Sequence, residues 1–127
     1  MMKRIASLSA GLCLLLSTPA LALPPGDAAH GKTLFASNCA ACHADAKGAP
    51  DGQGPNLWGI YGKKPGQEAG FAYSDDFKTA DFVWDEAHLD KWLTQPSSVF
   101  PDSYMMYQQP DPQIRADIIA YLKTLKN

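Results

Sequence analysis

Cys39-Ala40-Ala41-Cys42-His43 sets two thiols three positions apart, with an imidazole directly after the second. A C-x-x-C pair serves three chemistries: zinc binding, a redox disulfide, or covalent attachment of a haem. The histidine placed directly behind it selects the third. Each thiol can add its S–H across one vinyl group of the porphyrin. The histidine then lies under the ring and can give Nε2 to the iron. The pentapeptide therefore predicts one covalent haem c per chain, held by Cys39 and Cys42, with His43 as an iron ligand.

Iron so bound has a second axial position. His30, His88, Met105, Met106 and an open site are the candidates. A methionine thioether is soft and neutral, favours ferrous iron and raises the potential. Pro101-Asp102-Ser103-Tyr104-Met105-Met106-Tyr107 is a proline-bounded loop, where a side chain can be aimed at a site. Either methionine can equally be a gap-filler in the core. His30 falls near the attachment site in the first expected helix, and His88 lies among acids, a setting that predicts exposure. Chemistry alone does not choose between the two methionines.

The elements that must carry these residues are mostly helix and loop. Asp27 can cap a helix that runs towards Cys39, with Leu34 and Phe35 on its apolar side. Gly31 costs that helix about 1 kcal/mol relative to alanine, which a close helix crossing would justify. Asp85 can cap a second helix bearing His88, Leu89, Trp92 and Leu93, stopped before Pro96. Asp111-Pro112 starts a third, along which Ile114, Ile118, Ile119, Leu122 and Leu125 form an apolar stripe. Lys123 and Lys126 suit the negative end of its dipole. Between residues 44 and 83 no apolar period persists, and glycines alternate with Trp58, Tyr61, Phe71, Tyr73, Phe77 and Phe82. Loops so aromatic need a body to pack against, and a haem supplies one.

Residues 1–22 read as a cleavable secretory signal peptide: Lys3 and Arg4, an apolar run from Ile5 to Leu16, then Ala20-Leu21-Ala22. That run falls short of the roughly 20 residues of a membrane span, although an uncleaved anchor is the alternative. Leu12 is too bulky for a lipoprotein signal, so Cys13 belongs to the discarded peptide. Removing 22 of the 127 residues leaves 105, one domain over 23–127. With Lys3 and Arg4 gone, nine basic residues face thirteen acidic ones, for a net charge of −4. Such a balance disfavours nucleic acid and anionic membranes as partners. Asp75, Asp76, Asp81, Asp85, Glu86 and Asp90 concentrate acid in the middle third, as a solvated face or as a docking surface for a basic partner.

Several motifs occur in order around the haem pentapeptide. Gly31 and Phe35 precede it; Gly54-Pro55-Asn56-Leu57, Gly70-Phe71-Ala72-Tyr73-Ser74, Trp84 and Pro96 follow; Pro101 to Met105 and Ile118-Ile119-Ala120-Tyr121-Leu122-Lys123 complete the set. From about Asp27 to Lys126 the chain resembles the class I cytochromes c, similar to the mitochondrial protein and to bacterial cytochromes c2 and c-550. The resemblance implies an all-α fold in which the first and last helices cross and loops wrap the haem. It implies Met105 as the sixth ligand and the Pro55 carbonyl as acceptor for His43 Nδ1. Tyr73 and Trp84 would hydrogen-bond a haem propionate, with Lys63 standing where the family has a propionate-facing arginine. Gly31, Phe35 and Tyr121 match the helix crossing.

The chain also departs from that pattern. Trp92 stands in place of a tyrosine near the methionine sulfur, and Phe77 in place of an asparagine of an internal water network. Ser97, Ser98 and Tyr104 take the place of lysines around the exposed haem edge, so the expected partner surface is apolar or basic. The expected function is a soluble, monomeric, periplasmic one-electron carrier rather than an enzyme, with iron held by His43 and Met105. Partners expected by analogy are a quinol-oxidising complex, a terminal oxidase, a reductase or a dehydrogenase. The alternative is a peroxidase-like or nitric oxide-binding haem protein with a labile sixth ligand. It lacks any recognisable distal histidine and arginine pair. A non-haem disulfide or zinc protein would leave the remaining motifs unexplained.

Overall fold

The computed structural model describes residues 22–126, and the expected signal peptide lies outside them apart from Ala22. Three helices form where capping groups permit them. Asp27 Oδ1 accepts from the Ala29 and His30 amides (2.8 and 3.1 Å) and starts α1, Ala28–Asn38. The Asp85 carboxylate accepts from His88 N–H (2.9 Å) at the head of α2, Glu86–Thr94. Asp111 Oδ1 accepts from Gln113 and Ile114, and α3 runs Pro112–Leu122 with the proline where its missing N–H costs nothing. Single 3₁₀ turns lie at Asp75–Thr79 and Pro96–Ser98, and no strand occurs among the described residues. The fold is all-α, as the resemblance implied. No described helix is long and apolar enough to cross a membrane.

The first and last helices meet backbone to backbone. A Cβ built on Gly31 would lie 1.9 Å from the Asp117 carbonyl oxygen, and one on Gly26 would lie 2.2 Å from that of Ala116. The awkward glycine of α1 is therefore a contact point against α3, reinforced by the edge-on Phe35–Tyr121 pair at 5.6 Å. Ile118 and Ile119, each 1% exposed, carry the stripe of α3 into the core. The helix stops earlier than that stripe suggests. After Leu122 the chain turns, burying Leu125 and giving its carbonyl to Gly59 N–H (2.6 Å). Lys123 pairs with Glu86 and sits 5.3 Å above the Tyr61 ring. That contact reaches α2 rather than the dipole alone.

Asp117 is 2% exposed and fully engaged. It accepts from Asp27 N–H (2.8 Å), His30 Nδ1–H (2.8 Å) and Gln113 Nε2–H (2.9 Å). Burial alone would raise its pKa, but these three donors outweigh burial and hold it below the usual carboxylate value. A depressed native pKa stabilises the fold above the unfolded value of about 3.9 and loses that contribution as pH falls through the native one. Acid unfolding of Asp117→Asn is therefore expected to show a shallower loss of stability below about pH 4 than the parent. Denaturant unfolding across that range measures it; parallel curves would remove Asp117 from the acid limb.

Candidate functional site

The two cysteines and the histidine sit on helical turns that continue α1. Cys39 and Ala40 amides both donate to Phe35 O (2.8 and 3.0 Å), and Cys42 and His43 amides both donate to Cys39 O (3.0 Å each). This winding brings Cys39, Cys42 and His43 to one cavity of about 460 Å³, which Met105, Tyr73, Trp84 and Trp92 also line. Both thiols are free, and Cys42 Sγ donates to Gln53 Oε1 (3.2 Å). Burial, then the neighbouring Cys42, pushes the Cys39 thiol up to about 11, so it stays protonated in neutral water. Among the described residues no three His, Cys, Asp or Glu side chains converge as a metal-ion site.

The histidine is locked in one tautomer. His43 Nδ1 lies 2.7 Å from the Pro55 carbonyl, which can only accept, so the proton is on Nδ1 and Nε2 carries a lone pair. Burial lowers the ring's pKa more than the Pro55 bond raises it, which keeps the imidazole neutral. Gly54 is packed on the same ring: a Cβ there would lie 2.2 Å from His43 Cε1. Asn56, 6% exposed, fastens the loop that presents the Pro55 carbonyl. Its Nδ2 donates to Ala46 O and Ala49 O (2.8 and 2.9 Å), its N–H donates to Asp51 Oδ1 (2.7 Å), and its Oδ1 accepts from Trp58 N–H (3.0 Å). Sequence reasoning gave neither Gly54 nor Asn56 a role of its own. The last of those bonds is the side-chain-to-backbone turn that asparagine favours two residues on, the one local signal that could have singled Asn56 out.

On the Met105 side both methionines line the cavity and differ in burial: Met105 is half-buried and packs on the core, whereas Met106 is 86% exposed. His30 and His88 do not line the cavity. His30 is engaged by Asp117, while His88 donates to Asp85 (2.7 Å) and stacks on Phe82 at 4.1 Å. Phe77 and Trp92 join an aromatic cluster. Phe77 stacks on Phe100 at 4.0 Å, and Trp92 lies 5.5 Å from Trp84. At position 77, where the resemblance places an asparagine, a ring packs on a ring.

Trp84 is 4% exposed and lines the cavity, its backbone bridged to Lys63 O and Gly62 N–H (2.8 and 2.9 Å). The Tyr73 hydroxyl accepts from Glu68 N–H (3.2 Å), which leaves its own proton free to donate. Burial raises its pKa and keeps that proton in place. Lys63 does not line the cavity; its Nζ donates to Trp58 O (3.4 Å) instead. Among the described residues no Lys, Arg, Asp or Glu lines the cavity, and Tyr104, which does, is 81% exposed. Most of the acids of the middle third have partners inside the fold. Asp76 accepts from Ser74 and Asp102, Asp85 pairs with His88, Glu86 with Lys123 and Asp90 with Arg115.

Walls that are largely apolar, two thiols, an imidazole with an open Nε2 and two methionine thioethers together fit a haem c: a flat apolar body attached through two sulfurs, with donors at hand for its iron. The Cβ-free edge at Gly54 keeps the imidazole in place for such a body. Comparisons with known proteins agree. A family model described as cytochrome c matches residues 28–126. Cytochrome c2 of Rhodopila globiformis is 46% identical over 104 residues, covering 81% of this chain and 97% of that protein. Cytochrome c of Theileria parva is 43% identical over 106 residues, 83% of this chain and 91% of its own. Cytochrome c of Chlamydomonas reinhardtii is 44% identical over 101 residues, 79% of this chain and 90% of its own.

Proposed function

Because this chain belongs to the cytochrome c family, we propose that it is a periplasmic one-electron carrier whose iron is ligated by His43 and Met105. The cofactor is covalently attached haem c, which supplies a reversible one-electron change at iron when bound. Cys39 and Cys42 would each form one thioether, the thiol proton going to the neighbouring vinyl carbon. Pro55 holds His43 so that Nε2 is the free donor, and accepting a hydrogen bond from Nδ1–H makes that donor more basic. Trp84 and the Tyr73 O–H would steady a propionate, and the largely apolar walls would limit the access of water to the iron. The observation that carries this reading is the convergence of Cys39, Cys42 and His43 on one cavity that Met105 and Met106 both line, Met105 being the one packed on the core.

Exposed Tyr104 and Met106, at the open side of an uncharged lining, favour a partner that docks through an apolar patch. The partner classes are a quinol-oxidising complex or dehydrogenase as donor and an oxidase or reductase as acceptor. Export rests on the basic, apolar and small-x-small order of residues 1–22. The sixth ligand is tested by proton NMR of the ferrous holoprotein, in which an iron-bound methionine methyl is shifted strongly upfield. Met105→Ala should abolish that signal, accept added ligands, and lower the potential by on the order of a tenth of a volt or more, within the ~0.8 V that axial ligands command. Met106→Ala should keep the signal. The reverse pattern would reassign the ligand to Met106. No signal in the parent protein would favour the ligand-binding alternative.

A further inference from the structure

The segment carrying Met105 is held mainly by its ends. At the near end Ser103 N–H donates to Phe100 O (3.1 Å) and Asp102 N–H to Asp76 Oδ2 (2.8 Å). Between them and Gln109, the Met105 amide donates to a side chain, Ser103 Oγ (3.2 Å). At the far end Gln109 N–H donates to Leu93 O (2.8 Å), its side chain donates to Tyr107 Oη (3.1 Å) and accepts from Asp111 N–H (3.0 Å), and one side chain from α3 takes both free carbonyls. Arg115 on α3, 9% exposed, donates through Nε to Asp90 Oδ1 of α2 (2.5 Å) and through Nη1 to Gln109 O and Pro110 O (2.9 and 2.8 Å). Neither Arg115 nor Asp90 lines the cavity.

We propose that the Arg115–Asp90 pair is a clasp that positions Met105 on the iron by fixing the far end of its loop to both α2 and α3. The proposal rests on Met105 being the sixth ligand. A planar guanidinium can serve a carboxylate and two carbonyls at once, which a lysine ammonium on a flexible stem cannot do with fixed geometry. An intramolecular ligand competes with one from solution through its effective concentration, and the anchoring of its loop sets that concentration. Loosening the far end therefore weakens the thioether's hold without touching the sulfur.

The test is a titration of ferric holoprotein with imidazole, which displaces a methionine ligand, run beside thermal unfolding of the same samples. Asp90→Asn and Arg115→Lys should each tighten apparent imidazole binding about tenfold, the scale expected when a partly buried charged partner is lost. His30→Ala removes a contact to α3 remote from the loop and should lower the melting temperature while leaving imidazole affinity as in the parent. Should Arg115→Lys fail to fold, Asp90→Asn alone decides. Parent protein with the upfield methyl, together with unchanged imidazole affinity in the clasp variants, overturns the clasp alone. A parent lacking the signal overturns the Met105 assignment and the clasp with it.

Discussion

His43→Ala is expected to leave no stable haem-bound protein. The substitution removes the nitrogen ligand, but it also strips two supports from the polypeptide. The Pro55 carbonyl loses the donor at 2.7 Å, a loss of about 1–3 kcal/mol for a buried acceptor left unpaired. The ring that fills the space against Gly54 vanishes, and a void of that size costs about 2–5 kcal/mol. Against a total stability of about 5–15 kcal/mol, those two terms alone threaten the fold before any lost iron bond is added. Absorbance of the protein purified after co-expression with a cytochrome c maturation system measures the yield. His43→Gly with added imidazole separates the effects, since free imidazole can refill the void and restore the ligand. Full holoprotein yield from His43→Ala would show that the haem and the fold do not need this histidine.

Gly31→Ala is expected to lower the melting temperature by roughly 10 °C. The added methyl would meet the Asp117 carbonyl oxygen at 1.9 Å, and that oxygen belongs to the backbone of a buried helix. Overpacking of this kind costs about 3 kcal/mol, while the better helix propensity of alanine returns about 1 kcal/mol. The net of about 2 kcal/mol corresponds to the stated shift at 4–8 °C per kcal/mol for a domain near this size, taken at its lower-middle range. The damage should spread beyond α1, because the same crossing carries the Phe35–Tyr121 pair and the Asp27 and His30 bonds to Asp117. Thermal unfolding followed by circular dichroism checks it. An unchanged midpoint would mean that the helices can part by the width of a methyl at no cost.

What was readable in the chain followed its chemistry over short distances. Asp27, Asp85 and Asp111 cap the helices they were expected to cap, because a side-chain oxygen reaches an amide two or three residues on wherever the rest of the chain goes. The glycine and aromatic segment between residues 44 and 83 contains no strand or α-helix, as its missing period implied. Gly31 was legible as an anomaly, and the crossing supplies its cause. Less visible was the reach of α3, which ends at Leu122 although the apolar stripe continues to Leu125. The stripe reports burial, and a buried turn buries Leu125 as well as a helix would.

Partners distant in sequence were not legible. Tyr121 donates to Asp45 across 76 positions, its hydroxyl pKa pushed up to about 12 by burial and that carboxylate. Lys63 turns to the Trp58 carbonyl rather than to the cavity, and half of the acids that look like a free patch pair with His88, Lys123 and Arg115. By itself the sequence determined the family, its covalent haem chemistry, the helical caps and the all-α class, because these reside in residue type and spacing along a few turns of chain. Only the tertiary structure decided that Met105 packs inward while Met106 faces solvent, that His30 and His88 are drawn away from the cavity, and that Arg115 ties the methionine loop to two helices. Those outcomes depend on which groups the packed helices bring within 3 Å of one another, and no local pattern encodes that distance.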